Sequence, residues 1–226
     1  MGRLKSSTGL VIWVSSLVLY GLFLFWHGAF NSAMNQAEVE SYMTQLKKLN
    51  PKGGSPERLN MLRSFLEKDD GKAVYMFNAI KLYKEPRKVN GVRSGESSEQ
   101  VLNRYSSYVM SHLIPRGGYP VLAGKSVFQS LELWGLEKGR DWSLGGVVRY
   151  PSRRHLVEMI LNPTFQRLHK LKVASIEKTF AFPLRPIVLF GGAPLVVGLL
   201  LFSLASFLHL LLCIRRLKSM NSPSTS

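Results

Sequence analysis

The chain has 226 residues, which is enough for one domain of ordinary size and some additional segments but not for a second large core. Lys and Arg outnumber Asp and Glu by 30 to 14, but they are spread along the chain without a basic helix, a zinc-ligand spacing or an aromatic-basic strand, so we expect no nucleic-acid partner. The single cysteine, Cys213, excludes an intramolecular disulfide and a thiolate metal cluster.

The chain begins with a membrane-length apolar segment. After a short tail, residues 1–8, the stretch from Gly9 to Phe30 reads GLVIWVSSLVLYGLFLFWHGAF, which carries no formal charge and is long enough to cross a hydrocarbon core of roughly 30 Å. A cleaved signal peptide is the alternative, because Arg3 and Lys5 precede the run. The run is long for a signal core and is followed by a poor cleavage site, so we predict an uncleaved transmembrane helix over residues 9–30.

Residues 31–71 are predicted to form a helical extension. Two segments, Ala37 to Leu49 and Ser55 to Lys68, have the composition and apolar spacing of helices. In the second, Ser55 is an N-cap candidate and Pro56 occupies the first helical position. Its apolar stripe consists of Leu59, Leu62 and Leu66.

A single α+β domain is predicted over residues 72–184, and it begins with an apolar strand. In AVYMFNAIKLY, from Ala73 to Tyr83, both alternating sets of side chains are apolar. Such a strand is typically buried on both faces of its sheet, so something must cover each face. The charged segment from Lys84 to Ser98, which contains two glycines and a proline, is predicted to be a loop.

One helix and two strands follow this loop. Ser97 or Ser98 is the candidate cap of the helix, whose apolar residues recur at helical spacing. The second strand is predicted from Tyr119 to Leu133, with an interruption at Gly124 that is typical of a bulge. The third strand is predicted from Trp142 to Tyr150, and one of its faces carries Trp142, Leu144, Val148 and Tyr150.

The domain is predicted to end with two consecutive helices and a fourth strand. Ser152 caps the first helix, and Asn162 followed by Pro163 restarts the second, because Asn is a good cap and Pro suits the first helical position. Their buried stripes are Leu156, Met159 and Ile160 in the first and Phe165, Leu168 and Leu171 in the second. With a short strand from Glu177 to Leu184, the order is βαββαβ, the ferredoxin-like arrangement of an α+β fold.

A second uncharged segment of membrane length runs from Pro186 to Ile214, and a basic tail, residues 215–226, follows it. Glycines and a proline in its first third predict a kink or a late start of this transmembrane helix. Because Lys and Arg lie in both short tails while residues 31–46 contain neither, we predict cytoplasmic tails and an extracytoplasmic domain at a bacterial inner membrane. The basic excess between the two segments favours the opposite orientation, but long loops count little in this rule.

Three segments carry a resemblance: MFNAIKLY (Met76 to Tyr83), LNRYSSYVMSHLIPRGGYPVLAG (Leu102 to Gly124) and DWSLGGVVRYPSRRHLVEMILNPTFQRL (Asp141 to Leu168). They resemble the domain of unknown function 1330 family, within the dimeric α+β barrel superfamily. The resemblance covers about half of the chain and implies a homodimer whose two sheets face each other. The membrane segments and residues 31–71 lie outside it, so the location usual for the family does not transfer.

Five residues of the domain are candidates for lining a ligand-binding pocket: Asn78, Arg104, Tyr105, Trp142 and Arg149. Asn78 is the one amide within an apolar strand, where a polar group can point into a cavity. An amide satisfied by neighbouring backbone is the more common explanation of such a residue. Solvated arginines and core aromatics are the competing explanations for the other four.

No catalytic residue, metal site or cofactor is predicted. None of His112, His155 and His169 lies at ligand spacing from another His, Cys or carboxylate, and His155 is expected to be exposed. A haem between the membrane segments is excluded, because His27 and His209 would lie on the order of 25 Å apart in antiparallel helices. The chain contains no nucleophile-elbow, Walker, metalloprotease or dinucleotide motif.

The sequence therefore predicts a membrane-tethered module that dimerises or binds a small ligand, without established catalysis. Its expected partners are a second copy of the chain, membrane lipid around the two spans and a small-molecule ligand. The alternative is a small-molecule oxidoreductase of the cofactor-independent monooxygenase or haem-binding type, which is supported by fold analogy alone.

Overall fold

The computed structural model describes residues 3–49, 55–135 and 140–220. The chain divides into two compact units, one that contains both apolar ends and one, called the domain below, that spans His27–Pro186. The helices in chain order are α1 (Arg3–His27), α2 (Gln36–Leu49), α3 (Pro56–Glu67), α4 (Ser98–Leu113), α5 (Arg153–Leu161), α6 (Pro163–Ser175) and α7 (Ala193–Met220). The strands are β1 (Val74–Leu82), β2 (Tyr119–Lys125), β3 (Leu144–Tyr150) and β4 (Ile176–Leu184).

Helices α1 and α7 are each long and apolar enough to span a membrane. The start of α7 at Ala193 confirms the predicted late start, because Gly191 just before it has a φ of 66°, a conformation that favours glycine. The Tyr20 hydroxyl donates to the Pro194 carbonyl at 3.2 Å, and Gly9 approaches the His209 ring. The two helices are therefore antiparallel, with His209 near the beginning of α1 and His27 at its end, as predicted.

The four strands form one antiparallel sheet in the order β2-β3-β1-β4. In the central pair, Met76 of β1 lies opposite Val148 of β3, and on the other side Phe77 lies opposite Phe182 of β4. The β2–β3 register shifts between Pro120 and Leu122, so the irregularity predicted at Gly124 lies at Val121 instead.

The predicted continuation of the second strand to Leu133 is wrong. Strand β2 ends at Lys125, which pairs with Leu144, the first residue of β3. Beyond that point the backbone contacts are isolated, since the Ser126 amide donates to the Ser143 carbonyl at 2.9 Å and the Ser130 amide to the Arg140 carbonyl at 2.7 Å. Isolated bonds of this kind do not form the regular ladder of a strand pair. The residues that follow form turns and bends, and their large apolar side chains are exposed: Val127, Phe128, Leu131 and Trp134.

The main core lies between one face of the sheet and helices α4, α5 and α6. Strand β1 contributes Met76 and Ile80 to it, and β3 contributes Val148 and Tyr150. The apolar stripes predicted for the helices after β3 are confirmed, since this cluster contains Leu156, Met159, Ile160, Phe165, Leu168 and Leu171. Burial of this set supplies the main apolar driving force for folding the domain.

Helices α2 and α3 form an outer layer on α5. Val39, Met43 and Leu46 of α2 and Leu66 of α3 pack with Val157 of α5 in a second apolar cluster. Helix α5 is therefore apolar on two sides, since one faces the sheet and the other faces this layer. The helical extension is thus part of the domain, and both helical layers lie on the same face of the sheet.

The predicted helix caps are observed. Ser55 caps α3, and Ser97 rather than Ser98 caps α4 in a reciprocal capping box with Gln100. The Ser152 hydroxyl accepts from the His155 amide at the start of α5, and the Asn162 carboxamide oxygen accepts from two amides at the start of α6. His155 is half-buried rather than exposed, because its Nδ1 lies 2.9 Å from the same Ser152 hydroxyl.

Candidate functional site

The second face of the sheet, called the open face below, carries several large apolar side chains that are substantially exposed, although Tyr75 and Arg149 at one end of it are buried. The rings of Phe77 and Phe182 pack at a tilt with their centroids 5.4 Å apart, and the Phe180 ring centroid lies 5.4 Å from that of Phe182. Phe182 is 40% exposed, Phe180 47% and Leu122 63%. Antiparallel sheets with one solvated face usually present polar residues there, so this composition is unusual. The residues of the open face are Tyr75, Phe77 and Ala79 of β1, Tyr119 and Leu122 of β2, Val147 and Arg149 of β3, and Phe180, Phe182 and Leu184 of β4.

A buried arginine lies at one end of this face. Arg149 is only 3% exposed, and its Nη1 and Nη2 each donate at 2.7 Å to a backbone carbonyl, those of Gly117 and His27. Within the described residues no carboxylate forms an ion pair with Arg149, although buried charges are normally paired. Gly117 presents its carbonyl from a turn in which its own φ is 81°, at the end of the helical segment before β2.

His27 and Tyr119 complete this arrangement, which we call the Arg149 cluster. Nη2 of Arg149 also lies 3.2 Å from His27 Nδ1, and His27 Nε2 lies 3.0 Å from the Tyr119 hydroxyl. Because a guanidinium can only donate, Nδ1 accepts and the proton of a neutral ring is assigned to Nε2, which donates to Tyr119. The guanidinium also lies 5.5 Å from the centre of the Tyr119 ring, and burial raises the pKa of Tyr119 even though Arg149 opposes this.

An ion triad lies at the other end of the open face. Asp141 accepts from Lys81 and from Lys178, each at 2.8 Å. Hydrogen bonds from Lys178 and then Lys81 hold the pKa of Asp141 well below its usual range. The Lys178 ammonium also lies 5.4 Å from the centre of the Trp142 ring. The open face is therefore an apolar strip with a polar cluster at each end.

The structure explains three of the five candidate residues without a ligand. Asn78 is half-buried and donates to the Met76 carbonyl at 3.0 Å, which is the backbone alternative considered for it. Arg104 pairs with Glu96 at 2.8 Å, and the Arg93 amide together with Arg104 holds the pKa of Glu96 below its usual range. Tyr105 is a core residue whose pKa is raised by burial.

The five candidates do not form one pocket. Tyr105 belongs to the core on the helical face of the sheet, whereas Arg149 lies on the open face. Trp142 contacts the ion triad at the far end from Arg149. Sequence reasoning missed His27 and Tyr119, because their hydrogen-bonding partners lie 122 and 92 residues away in the chain. The face on which Arg149 lies was predictable from the sequence. Arg149 stands between the core residues Val148 and Tyr150 along β3, so its side chain points to the opposite face of the sheet.

No family model and no curated protein sequence matches the chain. Among solved structures, the methylated RPA0582 protein has 23% sequence identity, covers 62% of this chain and 96% of its own, and has a TM-score of 0.47. A structure of RPA0582 described as a protein of unknown function from Rhodopseudomonas palustris has the same identity and a TM-score of 0.46. The match covers 61% of this chain and 97% of that protein. The protein At3g17210 from Arabidopsis thaliana has 13% identity and a TM-score of 0.33. The match covers 51% of this chain and 97% of that protein. We draw no functional conclusion from likeness at this level.

Proposed function

We propose that this chain is a membrane-tethered dimerisation module in which the open faces of two copies pack together. In this proposal the domain is ferredoxin-like, and two such sheets form a dimeric α+β barrel. The antiparallel order β2-β3-β1-β4 supports this topology, as does the connection of β1 to β2 by α4 and of β3 to β4 by α5 and α6. The two helices of membrane-spanning length and composition would hold both copies at the same surface.

The exposed aromatic strip is the observation that carries the proposal. Phe180 and Phe182 are nearly half exposed although they lie within a regular strand, and Leu122 is more exposed still. A contiguous apolar patch of this kind on a single copy is typical of an interaction surface. A second identical face would cover it and would provide the cover that the two-sided apolarity of β1 requires.

The polar clusters suit the edges of such an interface. Protein interfaces generally have an apolar centre and a polar rim. Here Phe77, Val147 and Phe182 lie between the Arg149 cluster and the ion triad of Asp141. Both polar clusters make most of their hydrogen bonds within one copy, although the buried Nε of Arg149 has no partner among the described residues. They can therefore flank the contact with few buried groups unpaired.

The mass of the full-length protein in non-ionic detergent tests the proposal, with native mass spectrometry and sedimentation as the measurements. We expect a dimer for the wild type and a monomer for Phe182→Asp, because a desolvated carboxylate opposes burial of the strip. The matched control is Val173→Asp on α6, which is 50% exposed and lies off the open face. This control should remain dimeric. A wild-type protein that stays monomeric at high concentration contradicts the proposal.

The oxidoreductase alternative stays a prediction. A monooxygenase-type site needs several polar groups around one substrate cavity. The candidate residues Arg104 and Tyr105 lie on α4, away from the open face that carries Arg149. No specific contact among the described residues favours this second function.

A further inference from the structure

A cavity of about 490 Å³ lies on the domain between α3, the start of β1 and the end of β4. Its volume is within the range of small-molecule sites, roughly 300–1,000 Å³. One part of its lining is apolar and consists of Met61, Phe65, Ala73, Val74, Pro183 and Leu184. The remaining lining residues are polar or basic: Ser64, Lys68, Arg153 and Arg185. The cavity is therefore amphipathic, and none of its residues belongs to the open face except Leu184 at the strand end.

The basic side of the cavity carries an excess of positive charge. Arg185 pairs with Asp70 at 2.7 Å, whereas neither Lys68 nor Arg153 forms an ion pair with a described residue. Arg153 instead donates to the Phe65 carbonyl at 2.5 Å and lies over the Phe65 ring, with its Nε buried and without a hydrogen-bond partner. Two cations thus adjoin the apolar lining without a balancing carboxylate.

The position of Arg153 in its helix supports a role in binding. Arg153 is the first residue of α5, and the first turn of this helix contains no acidic residue. The helix dipole is positive at that end, so a cation there is unfavourable for the helix itself. Arg154, its neighbour, offsets this cost by an ion pair with Glu38, but Arg153 has no such pair among the described residues. An anion near Arg153 would be stabilised by the guanidinium and by the dipole together.

We propose that this cavity binds the phosphate headgroup of an anionic lipid, with the glycerol and first methylene groups on the apolar lining. A phosphate suits the site because its several oxygens can accept from Lys68, Arg153 and Ser64 at once. The apolar lining distinguishes a lipid phosphate from free inorganic phosphate, which would leave Phe65, Val74 and Leu184 without a contact. Arg185, which lines the cavity, directly precedes the apolar segment that begins at Pro186.

Native mass spectrometry of the full-length protein tests this site, with phosphatidylglycerol or phosphatidylcholine of the same acyl chains added in detergent. The wild type should retain phosphatidylglycerol in preference to phosphatidylcholine. Lys68→Glu and Arg153→Gln should each weaken this retention by at least about fivefold, since each removes one charge-assisted contact. The matched control is Lys84→Glu, an exposed residue just beyond the opposite end of β1, which should retain the lipid as the wild type does.

The variants, not the lipid preference alone, decide the result, because the basic tail after α7 also attracts anionic lipid. Lys68 is exposed at the end of α3, so Lys68→Glu is expected to keep the fold. This variant therefore tests the site if Arg153→Gln does not fold. Circular dichroism checks the fold of both variants. Unchanged retention in Lys68→Glu, or an equal loss in Lys84→Glu, overturns the proposal. A third arm adds inorganic phosphate at the lipid's concentration. Displacement of the lipid by it would overturn the assignment to a lipid.

Discussion

The guanidinium of Arg149 is buried among carbonyl oxygens rather than carboxylates. Its two 2.7 Å bonds tie the segment at the end of α1 to the turn before β2. A hydrogen bond to a charged group contributes about 1.5–3 kcal/mol, and an unsatisfied buried carbonyl costs about 1–3 kcal/mol. The side chain is therefore expected to stabilise the domain, although a solvated arginine was the favoured explanation at this position from sequence alone.

We predict that Arg149→Met lowers the free energy of unfolding of the domain by about 2–4 kcal/mol, because the carbonyls of Gly117 and His27 lose their donor. Urea denaturation of the full-length protein in mild detergent measures the change. Arg167→Met on α6 is the control, since Arg167 is exposed. A variant at position 149 as stable as this control would show that the carbonyls find other donors.

A second prediction concerns pH. Burial is the main cause that lowers the pKa of His155 and of His169 below the ordinary value of 6.5, and nearby cations, Lys172 and Arg58 for His169, act in the same direction. Glu158 opposes the shift at His155. The unfolded chain therefore binds more protons than the folded one just below pH 6.5, so stability should fall as the pH drops through that region.

Thermal unfolding between pH 7.5 and about pH 5 measures this effect, above the range in which most carboxylates titrate. His169→Gln should reduce the slope, because it removes one of the histidines whose pKa is lowered by burial, a set that also includes His112. A midpoint independent of pH over this range would contradict the assignment of neutral, half-buried rings.

Helices and strands were predictable where local chemistry decides them. The caps at Ser55, Ser152 and Asn162 and the late start of α7 follow from residues within one turn of each boundary. The end of β2 could not be predicted in this way, because it depends on where β3 begins. The Arg149 cluster could not be predicted for a similar reason. Its members come from three distant segments that only the folded chain brings together.

The packing of α6 gives a third prediction. Phe165 is buried in the core and its ring lies 5.9 Å from that of Tyr105. Phe165→Asp should lower the free energy of unfolding by several kcal/mol, since loss of a buried Phe alone costs about 3–5 kcal/mol and the carboxylate would have no partner there. Val173→Asp on the exposed side of the same helix is the control. Equal midpoints of thermal unfolding for the two variants would mean that this face of α6 is wrongly assigned.

The chain places a domain with a basic surplus between two helices of membrane-spanning length. The domain's own charge and the charge of the tails favour opposite orientations in a membrane. The tails hold five basic residues and no acidic one, at positions 3, 5, 215, 216 and 218, and residues 31–46 hold no basic one. Because charges close to the spans dominate, the tails are expected to decide the orientation.

We therefore predict that both termini are cytoplasmic and that the domain lies on the other side of the membrane. Alkaline phosphatase, which is active only outside the cytoplasm, is fused after Leu184 in one variant and after Ser226 in another. The fusion after Leu184 should be active and the fusion after Ser226 silent, since an even number of spans returns the chain to the side on which it began. The reverse pattern would mean that the basic residues of the domain outweigh those of the tails, and would place the aromatic strip and the amphipathic cavity on the cytoplasmic side.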